Sequence, residues 1–304
     1  PLSLPIAIAI QAPVIRLPSA ISLALAAGAS GTATGSVANA GGSPLLYNVD
    51  NSGSGALSLV AAGSDGVSSG FRSTHYSDPA AAGSQAQYSA DDFVVEQPLQ
   101  LTALSATGFV VSGTALPTAA TSLTWAVYPD ANGMPAGNPT SAAGAAVWSY
   151  TASPVAAGVS TANNTIALNL PAAGQSVTLQ PGRYWLVVST RGTFANRFAW
   201  YGSNTGNGGF ASITIATNGA GAWASNAAFA GLAMSVRGLV PCGAAFIGAV
   251  TPASGTVAPG ASQSNRVTVS AAGLPAGRRT GYLCVASNDP VTPKAAAPVV
   301  LTVN

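Results

Sequence analysis

Leu2, Leu4, Ile6, Ile8 and Ile10 alternate without a break with Ser3, Pro5, Ala7 and Ala9. Side chains that repeat every second residue belong to an extended strand, here with one bulky face and one small face. A bare apolar strand pairs with whatever edge it meets, so this segment must be buried. Two arrangements achieve that. The strand opens a sheet of its own polypeptide, or it enters a neighbouring copy as a donor strand, its bulky residues filling a groove. Pro13 and Pro18 bracket a connector that would carry the strand away from the body. Pro5 suits an edge or inserted strand better than a central one. Burying five Leu or Ile side chains gives roughly 7–15 kcal/mol gross, against roughly 4–15 kcal/mol for association. Main-chain hydrogen bonds and a body-to-body contact must therefore help. A head-to-tail insertion does not close on itself, so it grows a filament.

The rest of the chain shows almost no helical period. Short β runs alternate with Gly, Pro, Asn and Ser clusters, which predicts an all-β protein. Residues 21–25, 32–37 and 45–49 read as strands, and so do residues 266–270, 280–286 and 297–303. Neither group alone has enough strands to bury a core, but together they make one sandwich. Between them, residues 92–96, 99–104, 107–112, 123–128, 146–150, 165–170, 183–189, 198–201 and 232–236 form a second set. That set predicts a jelly-roll-like sandwich inserted into a loop of the smaller one. The expected organisation is an N-terminal extension over 1–18, a first sandwich part over 19–56, an insertion over 57–240 and a second sandwich part over 241–304.

Charge bounds the function. Only 6% of the 304 residues are charged, with a formal net charge of +2. An average soluble domain has roughly 25% charged residues. Ten Lys and Arg scattered along the chain form no basic stripe, which argues against nucleic acid as a partner. No apolar run reaches the length of a transmembrane helix. A surface so poor in charge tolerates close packing against copies of itself. Cys242 and Cys284 fit no zinc or redox spacing. In an exported protein they read as a disulfide, and otherwise as two buried thiols.

Three stretches at the far end, Thr251-Pro-Ala-Ser-Gly-Thr-Val-Ala-Pro-Gly260, Gly281-Tyr-Leu-Cys-Val-Ala-Ser-Asn-Asp-Pro290 and Pro298-Val-Val-Leu-Thr-Val303, carry a resemblance. With Ala27-Gly28 and Val37-Ala-Asn-Ala-Gly-Gly-Ser-Pro44, they resemble immunoglobulin-like modules of bacterial exported proteins, often found C-terminal to subtilisin-like proteases. The middle resembles jelly-roll insertions of the same proteins, through Tyr88-Ser-Ala-Asp-Asp-Phe93 and Pro181-Gly-Arg-Tyr-Trp185. The resemblance implies a secreted or cell-surface protein and transfers no catalytic motif or cofactor. It does not reach the strand over 1–17.

Few residues suggest chemistry. His75 stands in Ser73-Thr-His-Tyr-Ser-Asp78, without a nucleophile elbow around any serine. Asp91 and Asp92 offer oxygens to calcium, yet adjacent residues of a strand point to opposite faces. No metal site is expected. Trp200 and Tyr201, followed by a Gly- and Asn-rich loop, are the best candidates for a sugar-ring platform, although core packing is the favoured reading of these aromatics. The expected function is a non-catalytic extracellular structural subunit that polymerises with copies of itself through Leu2, Leu4, Ile6, Ile8 and Ile10. The alternative is a polysaccharide- or surface-binding accessory module of a secreted hydrolase.

Overall fold

A computed structural model describes residues 11–66, 69–140 and 146–304. The five alternating residues from Leu2 to Ile10 lie outside the described residues. The protein is all-β, and its strands stack as sandwiches. It divides into two compact units. One comprises the chain up to Leu57 together with Leu239–Asn304, and the other is Ser58–Gly238.

In the first unit, a four-stranded antiparallel sheet has the order Ile15–Arg16, Ser30–Asn39, Ser262–Ser270, Ile247–Thr251. The facing sheet runs Ile21–Leu25, Lys294–Val303, Gly277–Ser287, Leu45–Val49, Ser254–Val257. Period-2 alternation builds the layer between them: Ile21, Ala33, Val267, Val269, Leu283 and Leu301 are all buried. Small residues bring the sheets close. A Cβ on Gly35 would come within 2.7 Å of Ile21 Cδ1, so a side chain here would force Ile21 to shift. Cys242 and Cys284 form a disulfide with a sequence separation of 42, Cα atoms 5.6 Å apart.

The first strand changes sheets. Ile15–Arg16 pairs antiparallel with Asn39 and Ala38, and Ile21–Leu25 pairs parallel with residues 299–303 of the other sheet. Pro18 lies between them, where a residue without an N–H loses no ladder bond. The stretch between Pro13 and Pro18, expected as a connector leading away from the body, instead pairs with it. Ile15 is buried, its N–H donates to Asp289 Oδ2 at 2.9 Å, and Ala40 and Gly42 donate to the carbonyls of Val14 and Ala12. The main-chain groups of residues 12–16 find partners on the sandwich, so this stretch is part of it.

In the second unit, one sheet has the order Trp148–Ala152, Ser122–Ala131, Gly182–Gly192, Ala86–Val95, Phe210–Ile215, Ala224–Asn226. The other contains Val159–Ser160, Thr165–Asn169, Leu99–Val110 and Phe198–Ser203. The two strands expected over 99–104 and 107–112 merge into one continuous strand, Leu99–Val110, which ends before the turn at Val111 and Ser112. Neither Ser105 nor Ala106 breaks an extended chain. Between the sheets lie Leu101, Leu104, Trp125, Leu186, Val188 and Phe198, all buried.

The closed loop of 42 residues implies a stabilisation of about 4 kcal/mol in the chain-entropy model. Replacing Cys242 and Cys284 together by alanine is expected to lower the urea midpoint of the first unit's unfolding by a corresponding amount. The transition of the second unit should not move.

Candidate functional site

Strand register in the second unit places chemistry on its outer face. Trp185 pairs with Asp92 on one side and with Tyr128 on the other, so these three side chains form one cross-strand row. Arg183, two residues before Trp185, shares that face. The same face carries a buried layer of Tyr88, Tyr128, Trp185, Val187, Ile213 and Ile215, with Met134 and Trp223 packed over it.

Where this layer ends, a cleft of about 470 Å³ opens, lined by Asp92, Val94, Arg183, Trp185, Asn207 and Phe210 among others. The Asp92 side chain is 1% exposed, and its Oδ2 accepts from Arg183 Nε at 2.8 Å. Its Oδ1 accepts from Asn207 Nδ2 at 2.7 Å. The Arg183 guanidinium lies 5.3 Å from the Trp185 ring centroid. Trp185 Nε1 donates to Asp130 Oδ1 at 2.8 Å, and Gly133 N–H donates to Asp130 Oδ2 at 3.0 Å. Burial works to raise the Asp130 pKa. The Trp185 and Gly133 donors and the Arg183 charge outweigh it and hold the carboxyl below its ordinary range. The chain carries eight carboxylates in all. Three of them, Asp91, Asp92 and Asp130, interact with Arg183, which gathers charge here in a sequence poor in it.

Asp91 turns the other way, into the space between the sheets, as expected for the neighbour of Asp92 on a strand. Its two oxygens accept the N–H groups of Leu232 at 2.6 Å and Asp92 at 2.9 Å. Burial pushes its pKa up to about 7 in spite of these donors. The pair therefore does not converge on one cation. Each carboxylate is already engaged, on opposite faces of the sheet.

The other candidates fall elsewhere. Trp200 is fully buried, and its Nε1 donates to the Ala233 carbonyl at 2.7 Å. This burial fits the core packing favoured for Trp200 over a sugar platform. A ring closed on both faces, with its N–H satisfied inside the protein, presents no surface to a ligand. Tyr201 is half-buried against Phe109, ring centroids 5.1 Å apart. His75 Nδ1 shares a hydrogen bond of 3.0 Å with the Tyr88 hydroxyl. Burial, with Arg191 nearby, lowers the His75 pKa. Sequence reasoning missed Arg183 and Asp130. The only available signal was the spacing of Arg183 and Trp185 on one face, and their partners depend on a register that no local pattern reveals.

In the first unit, the notable feature is an edge. Ser30–Asn39 pairs along its whole length with Ser262–Ser270. On its other side, only Asn39 and Ala38 have strand partners, Ile15 and Arg16. Among the described residues, no strand pairs with residues 30–37 on that side.

No protein-family model matches the chain, and no curated protein matches it.

The Asp91 carboxyl binds its proton more tightly in the folded chain than the ordinary value of 3.8. Between about pH 4 and pH 7, the folded state therefore holds a proton that the unfolded chain has released. Stability contributed by the protonated form is present at pH 4, falls as pH rises and is gone above about 7. The effect is on the order of 4 kcal/mol. Thermal melts across that window should show a declining component that is absent in Asp91→Asn.

Proposed function

We propose that this chain is a non-catalytic structural subunit that works outside the cell and polymerises by placing residues 2–10 against a neighbouring copy. One observation carries the reading. The alternating stretch joins a segment, Ala12–Arg16, that is tied down at the end of the sandwich edge. Residues 1–10 therefore leave from a fixed point, which makes presenting a strand to a partner less costly in entropy. A surface with 6% charged residues adds little repulsion between copies.

The disulfide supports an oxidising compartment. The strand orders favour an immunoglobulin-like first unit. In support, the sheet with Ser30–Asn39 and Ser262–Ser270 has a strand order like that of an ABED sheet, and the sheet with Leu45–Val49, Gly277–Ser287 and Lys294–Val303 one like CFG. The second unit, with two facing sheets of long strands, fits a jelly-roll-like insertion.

A second reading rests on the charged cleft. A guanidinium fixed by a carboxylate and lying over an indole ring suits the hydroxyl oxygens of a polysaccharide, which accept its free N–H groups. In this reading, Arg183, partly exposed and held from behind by Asp92, replaces Trp200 and Tyr201 as the contact residue.

Deleting residues 1–10 should abolish polymers seen by electron microscopy while leaving the thermal melt unchanged. Polymers that persist would sink the assembly reading. Arg183→Ala should weaken retention on a polysaccharide matrix at least tenfold and leave polymerisation intact. Unchanged retention would remove the second reading.

A further inference from the structure

We propose that the open side of the Ser30–Asn39 strand is the acceptor for residues 2–10 of a second copy. This rests on the assembly reading above and supplies what that reading leaves open, the place where the incoming strand pairs.

The direction of the main-chain groups is fixed. Asn39 donates to the Ala261 carbonyl and accepts from the Gly260 N–H, so the odd-numbered residues turn toward Ser262–Ser270. The even-numbered Ala40 and Gly42 donate the other way, to Val14 and Ala12. By the same alternation, the N–H and C=O groups of Ser30, Thr32, Thr34 and Ser36 face the side where no strand pairs among the described residues.

This edge also lacks the usual defences. Residues 30–37 read Ser-Gly-Thr-Ala-Thr-Gly-Ser-Val, with no charge and no proline. Proteins that must avoid edge pairing place Lys, Pro or a bulge at such positions.

The flank beside it is apolar. Ala33 and Val37 point inward and are buried, and the inward faces of Gly31 and Gly35 lie over Leu25, Leu23 and Ile21. Leu23 and Leu25 stay partly exposed. Next to Gly35 and Ser36 there is a small void of about 10 Å³, lined mostly by apolar residues that include Leu17, Pro18 and Ile21. It is too small to swallow a Leu side chain, so the geometry favours addition of a strand to the edge over filling of a deep groove. An added strand with its Leu and Ile face inward would cover Leu23 and Leu25. Its small face would lie outward beside exposed Thr32 and Thr34.

The occupant is then another copy. Residues 12–16 run antiparallel from Gly42 toward Ala38, so the described chain begins at the Gly42 end, on the far side of its anchor from the open stretch. To use its own edge, the segment would have to reverse and travel back past Arg16 before pairing. Ten residues span at most about 36 Å when fully extended, and the return plus eight paired residues would need more than that.

The test mixes two chains. Proline at an outward-facing edge position removes only a free N–H, so Thr34→Pro leaves the ladder to Ser262–Ser270 intact. The Thr34→Pro chain is expected to form at least tenfold fewer polymers. Mixed with a chain lacking residues 1–10, it should still donate its strand and give a two-chain species by size-exclusion chromatography. Thr34→Pro polymers at the normal level, with the deletion inactive, would overturn the acceptor assignment and leave the assembly reading standing. Polymers from the deletion chain would overturn both. A cysteine series in the full chain decides the matter even if Thr34→Pro does not fold. Ala7→Cys combined with Cys at Thr32, Thr34 or Ser36 should give an intermolecular cross-link on mild oxidation. A cross-link through Ala24→Cys instead, or through none of these positions, would also overturn the assignment.

Discussion

The first unit exists because two strands far apart in sequence find one another. Nine register pairs join Ser30–Asn39 to Ser262–Ser270, and Ser30 and Ser270, one of those pairs, lie 240 residues apart. No local hairpin replaces that ladder. Without it, Val37, Val267 and Val269 have no layer to enter, and the four-stranded sheet loses its centre. Contacts of such long range carry the full loop-closure cost before any burial rewards them. The disulfide between Cys242 and Cys284 reduces that cost for the later strands alone. The earlier strands, Ile21–Leu25 and Leu45–Val49, depend on pairing with Lys294–Val303 and Gly277–Ser287, on the far side of the insertion.

Much of this was legible in the residues. Alternation marked residues 21–25 and 45–49 as strands, because each has one face in a core and one more open, and it marked residues 123–128 although both of their faces are largely buried. The pairing of early and late strands came from counting, since neither group makes a sandwich alone. Other features were hidden. The two-residue strand Ile15–Arg16 is too short to show a period, and the change of sheet at Pro18 looked like a free connector. Trp200 looked exposed because a Gly-rich loop lies beyond it, yet its ring closes a core and its N–H reaches Ala233. The Asp92–Arg183 pair was invisible for a different reason. The two residues are 91 apart, and only the register of their strands brings them to 2.8 Å.

The charge economy of the chain gives that pair its interest. A sequence that carries so few ionic groups spends three carboxylates and an arginine around one patch of sheet. Asp92, almost without exposure, fixes Arg183 and Asn207 at the rim, and Asp130 holds the Trp185 ring. Asp91, one residue away, has a different task. It caps the N–H of Leu232 between the sheets and accepts a raised pKa as the consequence of its burial. Two neighbours of identical chemistry thus behave differently because a strand sends them to opposite sides.

The strand Ser30–Asn39 holds both the anchor of residues 12–16 at one end and an unpaired edge along the rest. In a fibre joined as proposed, tension would enter through the anchor and leave through the same strand. Residues 58–238 would bear none of it. Evolution could then reshape that insertion, its cleft included, without changing how hard the fibre can be pulled.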